Sequence, residues 1–289
     1  MALIPPFFLD CVVAIGIQQK QADGQLKKSW IGTGFIFGKH VKTHGDDNEK
    51  KDYTVYLVTN KHVLNGHRSI ILRFNPSNDQ AAKDYPTQLV SPSNQLLWTG
   101  HANPKADVGV LQINIGLIQK EGMKFGVFKS DMDVLTKNQL KEKQVSEGDF
   151  VYALGFPIGL VAKDRQHVIV RSGVIARIRD LYEKRSTDYT IDAFVFPGNS
   201  GGPVITKPEV ISIQGTPAIK QAALIGIVKS YIPYRDVAIS SQTKRPRITF
   251  EENTGLSLVE PVDYILEAIE RDLDRKRMGM GNASNTSIA

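Results

Sequence analysis

The chain contains a single cysteine, Cys11, among its 289 residues. Intramolecular disulfides are therefore excluded, although secreted proteins of this size commonly carry several. No run of 18 or more apolar residues occurs, so no membrane-spanning helix is predicted. The apolar start of the sequence lacks a preceding basic region and is broken by Pro5 and Pro6, which favours an anchoring segment and first strand over a signal peptide. Together these absences predict a cytoplasmic protein.

The excess of basic residues is modest. Lysine and arginine number 36 against 30 acidic residues, giving a net charge of +6, and the mean hydropathy of -0.21 is ordinary for a globular protein. The densest basic runs, 137–143 and 271–277, are interleaved with acids, as is typical of a solvated helix face. Nucleic-acid binding is therefore not expected, although the basic balance keeps it open as an alternative.

Short, β-branched apolar segments separated by Gly, Pro, Asn and Asp predict many strands. Because no long helices lie between these segments, they favour an all-β protein of barrels or sandwiches. The predicted strands are 12–17, 30–37, 55–59, 69–74, 108–113, 150–154, 168–178, 190–196, 204–205 and 223–231. Three polar stretches, 18–28, 39–52 and 76–86, are predicted loops.

Two helices are predicted. The segment 131–143 is polar and is interpreted as a surface excursion between two halves of the chain. The segment 261–277 begins with a proline suited to a first turn, and its apolar residues, spaced three or four apart, form one stripe. The small, polar residues that follow are predicted to be a flexible tail, 278–289.

A glycine-rich motif surrounds Ser200: Pro197-Gly198-Asn199-Ser200-Gly201-Gly202-Pro203. A nucleophilic serine needs unusual backbone angles and close approach of substrate, which glycine permits. The backbone N–H groups of Gly198 and Ser200, in the turn through Asn199, would form the oxyanion hole. The alternative interpretation of this motif is a glycine-rich hairpin turn.

Two further residues complete a candidate catalytic set. His62 follows a strongly apolar strand, a position suited to a general base held by a rigid element. Asp107 heads a buried strand, where a carboxylate needs a partner such as a protonated imidazole. Taken alone, His62 can be a loop histidine and Asp107 a turn aspartate. Together, the chain order His, Asp, Ser matches one known way of building the catalytic triad.

These motifs resemble the trypsin-like peptidases, in particular the disulfide-free HtrA-like branch. The resemblance covers most of the chain and includes Gly32-Thr33-Gly34-Phe35, Gly155-Phe156-Pro157-Ile158-Gly159 and Leu224-Ile225-Gly226-Ile227-Val228. It implies two perpendicular six-stranded barrels with the active site between them. The implied domain spans 1–277, with barrels at about 8–125 and 145–260 and the helix at 261–277.

The resemblance also implies differences from relatives. Asn199 stands where trypsin-like zymogens have the aspartate that pairs with a new N-terminus, so activation by such cleavage is not expected. Too few residues follow the last helix for the PDZ domain that HtrA-like proteins usually carry.

The specificity pocket follows from the same resemblance. Phe194 stands where trypsin has its pocket aspartate, so a preference for Arg or Lys is not expected. Lys229, Ser230 and Tyr231 would form the walls, with Gly255 and Leu256 near the floor. The expected preference is for small or medium apolar side chains.

Other sites are less well supported. His40 and His44 lie four apart and precede Asp46 and Asp47, but Gly45 and the polar surroundings indicate a loop rather than a metal site. Cys11 lies among apolar strand residues and is interpreted as inert core. No metal and no cofactor are predicted.

The sequence therefore predicts a serine endopeptidase acting on protein or peptide substrates, with room for an activating or recruiting protein partner and no membrane partner. The alternative is a protease-fold binding or scaffold module with latent or lost activity.

Overall fold

The computed structural model describes residues 3–21, 24–44, 50–209 and 215–279, together with the backbone of 286–287. Most regular structure in these residues is β. The strands are β1 (Val12–Lys20), β2 (Leu26–His44), β3 (Lys50–Asn60), β4 (Ser69–Pro76), β5 (Lys83–Gln88), β6 (Thr99–Gly100), β7 (Val108–Asn114), β8 (Met123–Lys124), β9 (Phe128–Lys129), β10 (Phe150–Gly155), β11 (Ile169–Arg177), β12 (Tyr189–Asp192), β13 (Pro203–Thr206), β14 (Leu224–Ile239), β15 (Pro246–Pro261) and β16 (Thr286–Ser287).

The helices are short except for the last. They are α1 (Pro6–Asp10), α2 (Lys61–Leu64), α3 (Gly116–Lys120), α4 (Lys137–Glu142), α5 (Arg179–Tyr182) and α6 (Val262–Arg277), with one 3-10 turn at Pro157–Gly159. Within the ranges given above, no helix combines the length and the apolar character that a bilayer crossing requires.

The N-terminal half is a sheet with the strand order β16-β7-β3-β2-β1-β4-β5, and the short strands β6, β8 and β9 pair at its sides. Its inward side chains are aliphatic residues spaced two apart, such as Val13 and Ile15, because successive strand residues point to opposite faces. They pack against Leu57, Leu72 and Leu111 from neighbouring strands. This half places the end of β3 beside the start of β7.

The C-terminal half is a closed barrel of six strands in the order β10-β11-β12-β15-β14-β13. Val151, Ile175, Ile191, Val204 and Ile225 fill its interior. Closure pairs every strand within the barrel, so this half leaves no edge strand exposed there. The predicted all-β class, with a closed six-stranded barrel beside a second sheet, is confirmed.

A third apolar cluster lies between the halves and joins them. Phe35 and Val58 reach it from the N-terminal sheet, Leu154 and Ile227 from the C-terminal barrel, and Ile265 from α6. The predicted helix 261–277 is confirmed as α6, with the predicted stripe facing this cluster. The site described below lies at the same seam.

Several predicted boundaries are wrong. All ten predicted strands coincide with observed strands, but β1, β2 and β3 continue into the stretches 18–28 and 39–52 that were predicted as loops. The predicted helix 131–143 is reduced to α4, and a capping box at Thr136 and Gln139 fixes its start. The predicted tail falls largely on residues outside the described ranges.

The structure also contains a long two-stranded arm that was not predicted. It is formed by the outer parts of β14 and β15, whose pairing runs to Ile239 and Pro246. Beyond the barrel its side chains, including Tyr234 and Phe250, are exposed. Because both faces of the arm meet solvent, the sequence there has no alternation between buried and exposed residues that would reveal strands.

Candidate active site

His62 is placed by the end of β3. Asn60 is fully buried there, and its side-chain amide donates to the Asp107 carbonyl at 3.0 Å. The Lys61 backbone N–H donates to the same carbonyl at 2.9 Å. The start of α2 is therefore tied to the residue that heads β7, which brings His62 and Asp107 together although they are distant in sequence.

The Asp107 carboxylate contacts His62 twice. One oxygen contacts the ring Nδ1, and the other accepts a hydrogen bond from the His62 backbone N–H at 3.1 Å. The His62 side chain is 52% exposed and that of Asp107 is 20% exposed. A shielded carboxylate bound to Nδ1 fixes the imidazole orientation, and Nε2 has no hydrogen-bond partner among the described residues, so it is available to act as a base.

Ser200 lies in a loop whose shape depends on glycine. Gly198 has φ of +100° and Gly201 has φ of +85°, values that favour glycine. A Cβ on Gly201 would lie 2.1 Å from the Thr59 hydroxyl and 2.2 Å from the Thr33 carbonyl. No other residue type fits this loop without displacing the strands beneath it.

The buried Thr33 hydroxyl anchors the Ser200 loop. It donates to the Gly198 carbonyl at 2.6 Å and accepts from the Phe156 backbone N–H at 3.0 Å. Thr33 is fully buried and belongs to β2 of the N-terminal half, whereas Phe156 follows β10 of the barrel. One hydroxyl thus connects the Ser200 loop to both halves.

The predicted oxyanion donors differ in their availability. The Asn199 N–H donates to the Phe196 carbonyl at 2.9 Å and is therefore engaged. The Gly198 and Ser200 N–H groups donate to nothing within the part of the chain that the structure describes. The Pro197 carbonyl accepts from Ile158 at 2.5 Å. Because the C=O and N–H of a trans peptide point in opposite directions, this bond turns the Gly198 N–H away from Ile158.

His62 and Ser200 line one cavity of about 160 Å³. The predicted wall residues Lys229, Ser230 and Tyr231 line it as well. Its other lining residues are Val195, Phe196, Pro197 and Val228, of which Pro197 and Val228 belong to motifs noted in the sequence. The Ser200 hydroxyl lies 3.5 Å from the Lys229 carbonyl. A larger cavity, of about 480 Å³, lies elsewhere on the barrel and contains none of the predicted site residues.

The predicted floor residues lie beside this cavity and are not part of its lining. Phe194 is 52% exposed, and its ring lies against Gly255, which has φ of +83°. Leu256 follows Gly255 and pairs with Asp192 across β12 and β15.

Two acidic residues near the site were not predicted. Glu260 is fully buried, and both of its carboxylate oxygens accept from the Asp107 backbone N–H, at 2.7 and 2.9 Å. Asp188 accepts from the Lys229 ammonium at 3.0 Å. Neither residue lies in a recognisable motif. In the sequence, Glu260 is only an acidic residue before Pro261, which precedes a helix.

The other sites considered from the sequence have ordinary partners. His40 bonds to Thr43 at 2.9 Å and His44 to Asp52 at 2.6 Å, whereas Asp46 and Asp47 lie outside the described residues. No group of three or more His, Cys, Asp or Glu able to hold a metal is found where the structure describes the chain. Burial raises the pKa of the Cys11 thiol well above its usual range, as expected for inert core.

Comparison with known proteins decides the family. The model of the trypsin-like peptidase domain family matches residues 32–210, which include His62, Asp107 and Ser200. The chain belongs to this family.

The chain is also similar to individual proteins. It is 25% identical over 249 residues to a probable periplasmic serine endoprotease DegP-like of Pseudomonas putida (strain GB-1), covering 84% of this chain and 41% of that protein. The protein of the same description from Pseudomonas fulva (strain 12-X) is 24% identical over 230 residues, covering 78% of this chain and 38% of that protein. The chain thus spans about two fifths of the length of these curated relatives.

A solved structure, the MamO protease domain from Magnetospirillum magneticum in its apo form, matches with a TM-score of 0.46 and 17% identity, covering 90% of this chain and 96% of that one.

The predicted cytoplasmic location is wrong by this comparison, because the relatives of this chain are named as periplasmic. The prediction relied on the absence of disulfides, of a signal peptide and of a membrane-spanning run. A closed barrel with a large apolar core needs no cross-links, so a single buried cysteine does not distinguish between compartments.

Proposed function

We propose that the chain is a serine endopeptidase in which Ser200, His62 and Asp107 form the catalytic triad. The observation that carries the proposal is the Asp107 carboxylate on the His62 ring, with His62 and Ser200 lining the same cavity. Family membership supports the same chemistry. No hydrogen bond joins His62 to Ser200 in this structure, and such bonds often tighten only when substrate binds.

The mechanism is acyl transfer to water. The Ser200 hydroxyl attacks the peptide carbonyl while His62 takes its proton and later passes it to the leaving amine. Asp107 orients the ring and stabilises the imidazolium. The free N–H groups of Gly198 and Ser200 stabilise the oxyanion, and the engaged N–H of Asn199 leaves two donors in this role.

The cavity favours small or medium apolar side chains. Val195, Phe196, Pro197 and Val228 give it apolar walls. The Lys229 ammonium bonds to Asp188 and to the Lys105 carbonyl, so it does not offer a free charge to an acidic substrate residue. Mass spectrometry of cleavage sites in a denatured protein mixture tests this preference, and a majority of cuts after Arg or Lys would contradict it.

The function is tested by comparing wild type with Ser200→Ala on an unfolded protein substrate. Loss of the nucleophile should reduce turnover by a factor of about 10³ or more. Ser172→Ala, which removes an exposed serine hydroxyl on β11, is the matched control and should keep full activity. A wild type that binds but does not cleave unfolded protein would instead support a binding or scaffold module.

A further inference from the structure

Next to Asp107 lies a group of charged side chains that the proposed mechanism does not use. It consists of Lys229, Glu260 and Asp188, all from the C-terminal half. We propose that Glu260, with its charge balanced by Lys229, is a positioning residue that holds Asp107 in place for His62. This inference rests on the proposed function, since it assigns a role relative to the proposed triad.

The contact between Glu260 and Asp107 crosses the seam between the halves. Glu260 lies near the end of β15 in the barrel, whereas Asp107 immediately precedes β7 in the N-terminal sheet. Both Glu260 oxygens accept the Asp107 N–H, at 2.7 and 2.9 Å. A hydrogen bond to a charged acceptor is stronger than a neutral one. It therefore fixes the backbone of the residue whose side chain orients His62.

Lys229 completes this arrangement from a second direction. Its ammonium lies 3.3 Å from Glu260 and donates to the Lys105 carbonyl at 3.0 Å. Lys105 is two residues before Asp107, so Lys229 and Glu260 hold the same short segment of the N-terminal half. Asp188, which bonds to the ammonium at 3.0 Å, keeps Lys229 in this position.

The charges of the cluster have a direct consequence for His62. Glu260 is fully buried, and burial raises its pKa. Burial alone would lower the pKa of Lys229, but the Asp188 and Glu260 carboxylates raise it instead. The groups facing Glu260 are Asp107, Lys229, Asp188 and the Tyr264 phenol. Glu260 and Asp188 thus share one ammonium, and Asp107 lies beside Glu260 as a third carboxylate. The negative charge near the His62 ring therefore exceeds the positive charge and favours the imidazolium that forms during acylation.

The first test is Glu260→Gln, which keeps the shape of the side chain and one acceptor but removes the charge. By analogy with outer-shell carboxylates that orient metal-binding histidines, we expect kcat to fall by about 10- to 100-fold. KM should be unchanged, and the acidic limb of the kcat/KM–pH profile should move to lower pH. The matched control is Asp272→Asn, another buried carboxylate with basic partners, located on α6. It should lower thermal stability and leave kcat unchanged.

A second variant guards against misfolding. Asp188→Asn/Lys229→Gln/Glu260→Gln removes all three charges together, so none of them is left unpaired in the interior. This triple variant should fold and should still show the reduced kcat. Wild-type kcat in the triple variant, or equal kcat for Glu260→Gln and Asp272→Asn, would overturn the positioning role.

A readout without catalysis separates this inference from the proposed function. In ¹⁵N-histidine-labelled Ser200→Ala protein, the His62 Nδ1–H bonded to Asp107 should give a low-field proton resonance. Glu260→Gln should shift or broaden that resonance, whereas Asp272→Asn should leave it in place. If the wild type is inactive but the resonance responds in this way, the proposed peptidase activity is refuted and the positioning role of Glu260 is kept. If the wild type is active but Glu260→Gln leaves the resonance unchanged, the positioning role is refuted and the proposed activity is kept.

Discussion

Ser200 is held by the shape of its backbone, whereas His62 and Asp107 are held by charged and polar side chains. The Ser200 loop depends on Gly198 and Gly201, with positive φ values and no room for a Cβ. On the other side of the cavity, Asp107 bonds to His62 and to the buried Glu260. The nucleophile is therefore sensitive to added atoms, and the base is sensitive to lost charges.

Adding one methyl group at Gly201 should have the largest effect. Gly201→Ala places a Cβ 2.1 Å from the Thr59 hydroxyl, so the loop must move and the Ser200 N–H must leave its position. Losing an oxyanion donor typically reduces turnover by a factor of about 100 or more. Turnover on a peptide substrate measures the loss.

Gly148→Ala is the matched control for that variant. Gly148 has φ of +97°, but nothing lies within 4 Å of its added Cβ. We expect only the backbone penalty, about 1–2 kcal/mol of unfolding free energy, with full activity. Equal activity of the two variants would contradict the steric account of the Ser200 loop.

Removing the charge of Asp272 should have the next largest effect, on stability rather than turnover. Asp272 is 1% exposed; its carboxylate accepts from Thr99 at 2.6 Å and pairs with Lys276 at 2.6 Å. Breaking a buried ion pair from one side costs about 3–5 kcal/mol. Urea unfolding of Asp272→Asn should therefore show a loss of about 3 kcal/mol or more.

Glu270→Gln is the surface counterpart on the same helix. Its carboxylate is half exposed and pairs with Lys39 at 2.6 Å. We expect a loss below about 1 kcal/mol, because exposed pairs contribute little. A larger loss of unfolding free energy in Glu270→Gln than in Asp272→Asn would contradict the conclusion that the buried Asp272 carboxylate anchors α6.

Thr33→Val should affect both stability and turnover. It removes a buried hydroxyl and leaves the Phe156 N–H and the Gly198 carbonyl without their partner. We expect the free energy of unfolding to fall by about 2 kcal/mol and kcat to fall clearly as well. Thr206→Val is the control, since Thr206 is also buried and its hydroxyl accepts from Ala223 at 3.0 Å away from the cavity. A matching loss of kcat in Thr206→Val would show that Thr33 has no special role.

One buried tyrosine in each half allows the pH dependence of stability in the two halves to be compared at high pH. Burial raises the pKa of Tyr56 in the sheet and of Tyr189 in the barrel. In the unfolded chain these phenols ionise near pH 10, so above that pH the unfolded state holds fewer protons and stability falls as pH rises. The slope is about 1.4 kcal/mol per pH unit for each phenol that stays protonated in the fold. Replacing either by Phe should make this decline shallower.

At neutral pH, Tyr56→Phe and Tyr189→Phe should change the free energy of unfolding in opposite directions. The Tyr56 hydroxyl donates to Asp272 at 3.4 Å, whereas that of Tyr189 has no hydrogen-bond partner among the described residues. Tyr56→Phe should lose, and Tyr189→Phe gain, about 1 kcal/mol in urea unfolding. A loss in Tyr189→Phe would show that its hydroxyl has a partner after all.

The comparison also explains what could be predicted from the sequence. Glycines that enforce a loop, and apolar strands that precede His62 and follow Asp107, leave local patterns, so the fold class and the candidate triad can be predicted from the sequence. Glu260 and Asp188 leave no such pattern, because their role depends on which strands meet at the seam. The arm formed by β14 and β15 was missed because it projects beyond both cores. The predicted location was wrong because the absence of disulfides, on which it partly relied, carries no information about compartment.

Covalent labelling by a fluorophosphonate probe tests the central claim most directly, because it requires one residue from each half of the chain to act together. Peptide mapping of labelled wild type should place the adduct on Ser200, and His62→Ala should abolish it. Labelling of Ser200 that persists at the same rate in His62→Ala, or no labelling of Ser200 in the wild type, would contradict the claim that the two halves form a single active site.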